Sequence, residues 1–122
     1  MANSPIVQYI VVRKDLVKAL KWSAGAIIAQ ACHATAAVTH LFHDDPHMKQ
    51  YLTDLDAMHK IVLETPDEES IKNLESDLIA HGIKHKLWVE QPENIPTCLV
   101  VKPYPKEDVQ NFFQSLRLFR EK

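Results

Sequence analysis

Ile6-Val7-Gln8-Tyr9-Ile10-Val11-Val12, followed at Ala24 to Phe42 by AGAIIAQACHATAAVTHLF, decides the fold. The first stretch is nearly continuous in β-branched and apolar residues, the pattern of a strand covered on both faces. The second has no proline and is apolar almost all round, so it reads as a central, buried helix. A strand that needs two covered faces, beside a long helix that can cover one, points to an α/β protein.

Outward from this pair the punctuation is clean, because all seven prolines fall between candidate elements. Asp45-Pro46 offers an N-cap with proline at the first helical position, and Met48, Tyr51, Leu52 and Leu55 keep helical spacing behind it. Ile61-Val62-Leu63 reads as a short buried strand. Thr65-Pro66-Asp67-Glu68 reads as a capping box opening a helix that carries Ile71, Leu74 and Leu78 and that Gly82 can close. His85 to Glu90 alternates as a strand and Thr97 to Val101 reads as a fourth. Pro105 opens a last helix lined by Val109, Phe112, Phe113 and Leu116. The order β-αα-β-α-β-β-α implies a three-layer α/β/α sandwich over a four-stranded mixed sheet, with residues 1–122 as one domain. Ligands in such sheets gather at the carboxyl ends of the parallel strands, which directs attention to the residues after Val12 and after Val89.

Composition narrows the chemistry. Glycine occurs twice in 122 residues, too few to write a P-loop or a dinucleotide-binding turn. The net charge of -2 gives no global basic field. Its distribution is uneven: residues 1–43 carry four basic residues against Asp15, residues 44–93 five lysines against twelve acids, and residues 94–122 five basic against three acidic residues. Cys32 and Cys98 lie outside any Cys-x-x-Cys spacing, so each is expected as a buried free thiol rather than a zinc or redox ligand. No segment reads as a signal peptide or a membrane span, and the expected location is cytoplasmic, with no membrane partner.

Four constellations carry chemistry. Arg13-Lys14-Asp15 follows the first strand, where it is either a phosphate clamp or a solvated strand exit. Gln30 and His33 share a face of a helix otherwise built of small and apolar residues, so they either line a cleft or are hydrogen-bonded inside. His40, His43 and His47 with Asp44 and Asp45 have the spacing to approach a metal, but Pro46 interrupts the helix, and an exposed helix end is the better reading. No metal site is expected. Glu90 to Thr97 is a two-proline loop whose carboxylate and hydroxyl could orient a water, or simply an ordinary connection between strands.

Tyr9-Ile-Val-Val-Arg-Lys-Asp-Leu16, then Gly25-Ala-Ile-Ile-Ala-Gln-Ala-Cys-His-Ala34, then Lys60-Ile-Val-Leu63, in this order and spacing, resemble the type II peptidyl-tRNA hydrolase family over essentially the whole chain. Trp88-Val-Glu-Gln-Pro-Glu-Asn-Ile95, Lys102-Pro-Tyr-Pro105 and Arg117-Leu-Phe-Arg120 are similar to a divergent branch of it. The resemblance implies hydrolysis, in translation, of the ester joining peptide to tRNA, with no cofactor. It places Arg13 and Asp15 on the family's strand-end charges, Gln30 and His33 on its polar helix face, Glu90 where an aspartate usually stands, and Thr97 on a cleft threonine. Ala24 and Ala26 stand where the family carries lysines, and the loop after Glu90 is shorter than usual.

The function expected is therefore a peptidyl-tRNA hydrolase with Glu90, Thr97, Gln30 and His33 as catalytic residues. Arg13, Lys14, Asp15 and Lys21 are expected to bind substrate at the tRNA acceptor stem. The alternative is a non-catalytic module that binds tRNA or a protein on the same fold, and a homodimer is among the assemblies the reading leaves open.

Overall fold

The computed structural model describes residues 4–121; residues 1–3 and 122 of the expected domain lie outside the described residues. Strand β1 (Ile6–Arg13) runs through the middle of the sheet. A short helix α1 (Asp15–Lys18) and the long α2 (Ala24–Leu41) follow, then α3 (Pro46–Thr53) and a 3-10 turn at Leu55–Ala57. Strand β2 (Lys60–Thr65), helix α4 (Glu68–Ala80), and strands β3 (His85–Glu90) and β4 (Ile95–Val101) complete the main body. The C-terminal segment adds β5 (Tyr104–Pro105), α5 (Lys106–Val109), a 3-10 turn at Gln110–Phe112 and β6 (Arg117–Leu118).

The mixed α/β class is as expected, but the sheet has six strands rather than four, in the order β3-β4-β1-β2-β6 with β5 on β1. The two extra strands are two residues each, too short for any periodicity to announce them. β1 and β2 are parallel, while β4 is antiparallel to both β1 and β3. β1, β2 and β3 therefore point the same way, and their carboxyl ends share one edge of the sheet.

Period-two alternation divides the sheet's side chains between two cores. Val7, Tyr9, Val11, Leu63, Leu99 and Val101 pack with Ile71 and Leu78 of α4 and with Val109 and Phe113. Ile10, Val12, Cys98 and Val100 pack on the other face with Ile27, Ala34 and Val38 of α2. Fully burying one such aliphatic side chain stabilises the fold by roughly 1.5–3 kcal/mol.

Local readings needed correction at four places. Thr65 is not the cap of α4: it is the last residue of β2, and the Asp67 carboxylate caps the helix by accepting from the Ser70 amide at 2.9 Å. The last helix has one turn of α-helix before it passes into 3-10 geometry, and Phe113 just beyond stacks on Tyr9, the rings 4.3 Å apart. α2 is central without being enclosed: Ile28 is 63% exposed. Cys32, on that same open flank, is exposed rather than buried, whereas Cys98 is buried. Gly82 does close α4, at φ +69, a left-handed conformation glycine adopts without steric cost.

Candidate functional site

The carboxyl edge of the sheet brings together residues from α2, β3 and β4. Trp88 and Glu90 are two apart on β3 and so share a face; the Trp88 indole nitrogen donates to Glu90 Oε1 at 3.0 Å. The His33 imidazole stacks on the same indole, ring centroids 5.1 Å apart. Gln30, one turn earlier on α2, accepts from the Thr97 hydroxyl at 3.0 Å through its side-chain oxygen. That contact fixes the carboxamide orientation and leaves both N–H donors for other partners. The Glu90 carboxylate lies near enough to the Gln30 side chain for its ionisation to be influenced by it. The indole hydrogen bond lowers the Glu90 pKa below its ordinary 4.5, and desolvation opposes it. A hydrogen bond from the Gln30 side chain and the charge of His33 add to the lowering.

Four expected residues, Gln30, His33, Glu90 and Thr97, thus form one group. Gln30 and Thr97 are buried, at 3% and 0% exposure, and form its floor; His33 is exposed and Glu90 half-buried. Thr97 stands behind Gln30 rather than beside Glu90. The loop between the strands is a four-residue turn over residues 91–94, closed by the Asn94 amide donating to the Glu90 carbonyl at 2.7 Å, which fixes the Glu90 backbone. Sequence reading missed Trp88 as a member of the group, although its spacing from Glu90 on a strand was a usable signal.

The charged residues after β1 are placed differently. Arg13 is 5% exposed and turned inward. Its Nε and Nη2 grip the two oxygens of Asp15 at 3.0 and 2.8 Å, and Nη1 donates to the Pro96 carbonyl at 2.8 Å. This is a buried strut that ties β1 to β4 and positions Thr97. It does not present its fork outward as a clamp, and Asp15 is consumed in the same pairing. Lys14 is also buried, its ammonium 3.7 Å from Glu64 Oε1 and 4.8 Å from the Phe119 ring centroid. Lys21 is exposed in the loop before α2, at φ +59. Arg13 and Lys14 are buried, whereas Lys21 is exposed.

Ser23 caps α2, its hydroxyl accepting from the Ala26 amide at 3.2 Å. Ala24 is exposed and Ala26 half-buried in the first turn, so this helix end carries methyl groups where the resemblance implies ammonium groups. His40 and His43 have ring centroids 6.4 Å apart, and His47 lies against Tyr104 instead. Among the described residues no three His, Cys, Asp or Glu side chains gather as a metal site. Nor, among them, is any helix long and apolar enough to cross a membrane.

Comparison with known proteins bears on what this edge is for. Residues 6–119 match the sequence profile of the family described as "Peptidyl-tRNA hydrolase PTH2". The chain is 51% identical over 116 residues to "Putative peptidyl-tRNA hydrolase PTRHD1" of Homo sapiens, covering 94% of this chain and 83% of that protein. The protein of the same name from Mus musculus is 50% identical over the same length and coverage. A solved structure of a protein of unknown function, Atu0240 from Agrobacterium tumefaciens, superposes with a TM-score of 0.65 over 98% of this chain and 100% of that one. At 9% identity that likeness concerns the fold alone.

Proposed function

This chain belongs to the peptidyl-tRNA hydrolase family PTH2, in its PTRHD1 branch, and from that premise we propose that it hydrolyses the ester between a peptide and the terminal ribose of tRNA. The observation that carries the reading is the convergence of Glu90, Gln30 and His33 around Trp88 at the carboxyl edge of the sheet. Glu90 is ionised at neutral pH, since its pKa is lowered. It holds a water by accepting one of its hydrogens and takes that proton as the water oxygen adds to the ester carbonyl carbon. The carbonyl oxygen gains negative charge, and in this scheme the Gln30 side-chain amide is the donor that meets it. The carbon–oxygen bond to ribose then breaks, and the ribose oxygen leaves with the proton that Glu90 returns. Thr97 is a positioning residue in this scheme, because it fixes which way the Gln30 amide points. His33 flanks the reacting carbonyl from the exposed side.

A carboxylate of lowered pKa is a weak base, so its main contribution is to orient the water. The ester is the easier bond to cleave than an amide, which suits a site with no lysine in its helix entrance. The test is release of peptide from purified peptidyl-tRNA by the wild-type chain and by Glu90→Gln, with tRNA binding measured in parallel. Loss of release with binding retained supports the mechanism; equal rates remove Glu90 from it.

Ala24 and Ala26 favour a second reading, a module that binds tRNA without turning it over. Binding by the wild type with no release above the uncatalysed rate would establish it.

A further inference from the structure

Helix α2 contains no Asp, Glu, Lys or Arg, although one side of it faces solvent. Gly25, Ile28, Cys32 and Ala36 are exposed and stand three or four residues apart, so they form one stripe along the helix. A helix face that meets water ordinarily carries charge. Ile28 is 63% exposed, and exposed apolar surface that is continuous marks a place of contact.

Here it is continuous. Beside the stripe a groove of about 560 Å³ lies between α2 and β2, walled by Ile28, Cys32, Val62 and Phe119. A second hollow of about 370 Å³ shares Ile28 and Phe119 with it and extends it toward Trp22 and Ala24. From Ala24 to Ala36 the groove follows the helix for about 18 Å. The C-terminal segment is its outer wall, fixed by the Phe119 amide donating to the Val62 carbonyl at 2.9 Å.

One charged residue stands at each end, and the two have opposite sign. Lys60 closes the end beside Thr35 and Ala36, and Glu121 the end beside Trp22 and Ala24. Among the described residues neither forms an ion pair. The Lys60 ammonium donates to neutral oxygens, Gln8 Oε1 at 2.6 Å and the Tyr51 hydroxyl at 3.2 Å, which leaves the third of its N–H groups for another acceptor.

We propose that this face is the interface of a homodimer, in which the α2 helices of two copies cross antiparallel about a two-fold axis between Ile28 and Cys32. A two-fold axis sets one patch against itself with its ends exchanged. The Lys60 end of each copy therefore meets the Glu121 end of the other, and the opposite charges pair twice. Ile28 of each copy enters the apolar groove of the other, and the small residues beside it let the helices approach to about 8–10 Å. A parallel crossing would oppose like charges instead. Gln30 and His33 turn toward β4 and β3, away from the groove, so the dimer leaves the candidate site open and does not rest on the hydrolase reading.

The test is the mass in solution by sedimentation over a dilution series, with melting curves to establish that each variant folds. Concentrated wild type should sediment at twice the 14.0 kDa chain mass. Ile28→Asp puts a charge at the centre of the face and should weaken association by about a hundredfold or more; the position is exposed in the single chain, so the variant should fold. Lys60→Glu and Glu121→Lys should each weaken association about tenfold, and the two changes together should restore it. Cys32 lies in the same face, so its reaction with a thiol reagent should slow as the wild type is concentrated, but not as Ile28→Asp is. A wild type that stays at 14.0 kDa throughout would overturn the dimer and leave the groove to a different occupant. A dimer indifferent to Ile28→Asp would overturn this face as its interface, and one that the double exchange fails to restore would overturn the antiparallel crossing.

Discussion

The Thr97 hydroxyl donates to the Gln30 side-chain oxygen at 3.0 Å, and neither residue is more than 3% exposed. A single buried hydrogen bond thus sets the direction of the Gln30 side-chain amide. Thr97→Val keeps the shape and removes the donor. It should lower kcat by about tenfold while leaving KM nearly unchanged, since a misdirected Gln30 is felt as the carbonyl charge develops. Thr97→Ser should restore most of the loss.

Glu90→Gln should reduce peptide release by about 10²–10³, within the ordinary range for loss of a general base. The amide still accepts from the Trp88 indole, so the fold should be unaffected. Melting curves alongside the rate assay check both halves.

Trp88→Phe removes the indole hydrogen bond that lowers the Glu90 pKa while keeping an aromatic ring for His33 to stack on. The carboxylate's pKa should rise toward 4.5. Activity that requires ionised Glu90 falls as pH drops through that pKa, so the acid limb of the pH–rate profile should move to higher pH in the variant. A limb that stays in place would mean that another group controls it.

Lys102 is 2% exposed and donates to Asp45 Oδ2 at 2.7 Å and to the Pro103 carbonyl at 3.0 Å. Burial pushes the Asp45 carboxyl up, but the Lys102 hydrogen bond and the amides of Met48 and His47 outweigh it and hold the pKa below 3.8. Asp45→Asn leaves the Lys102 ammonium without its charge partner. It should cost about 2 kcal/mol, discounted because Asp45 is partly exposed. A depressed carboxylate pKa stabilises the fold above the unfolded-state value and loses that contribution as pH falls through the folded one. The denaturation curves of wild type and variant should therefore converge in strong acid.

The two thiols should react very differently. Burial raises the Cys98 pKa to about 12, whereas Cys32 is exposed on α2. A thiol reagent at pH 8 should modify one cysteine per native chain and two per unfolded chain.

Local pattern was enough for β1, α2, α3, α4, β3 and β4, because each has its own period, cap or proline boundary. It was not enough for β5 and β6, whose two residues apiece form strands only because β1 and β2 offer unpaired edges to them. Thr65 shows the same limit: its fit to a capping box was real, yet the ladder with Arg13 claimed it for β2 and Asp67 took the cap. Arg13 and Lys14 were legible as charges at a strand end. Their direction was not, because Pro96 and Glu64, which decide it, are far away in sequence.

By itself the sequence determined the α/β class, the parallel pair at its centre, and the short set of polar residues at the sheet's carboxyl edge, since these follow from residue type and spacing along one element. Only the tertiary structure decided that Trp88 joins Glu90, that Arg13 is a strut, and that Lys14 is buried beside Glu64. Each of those depends on which distant segment supplies the partner for a buried polar group, and that choice is made by packing.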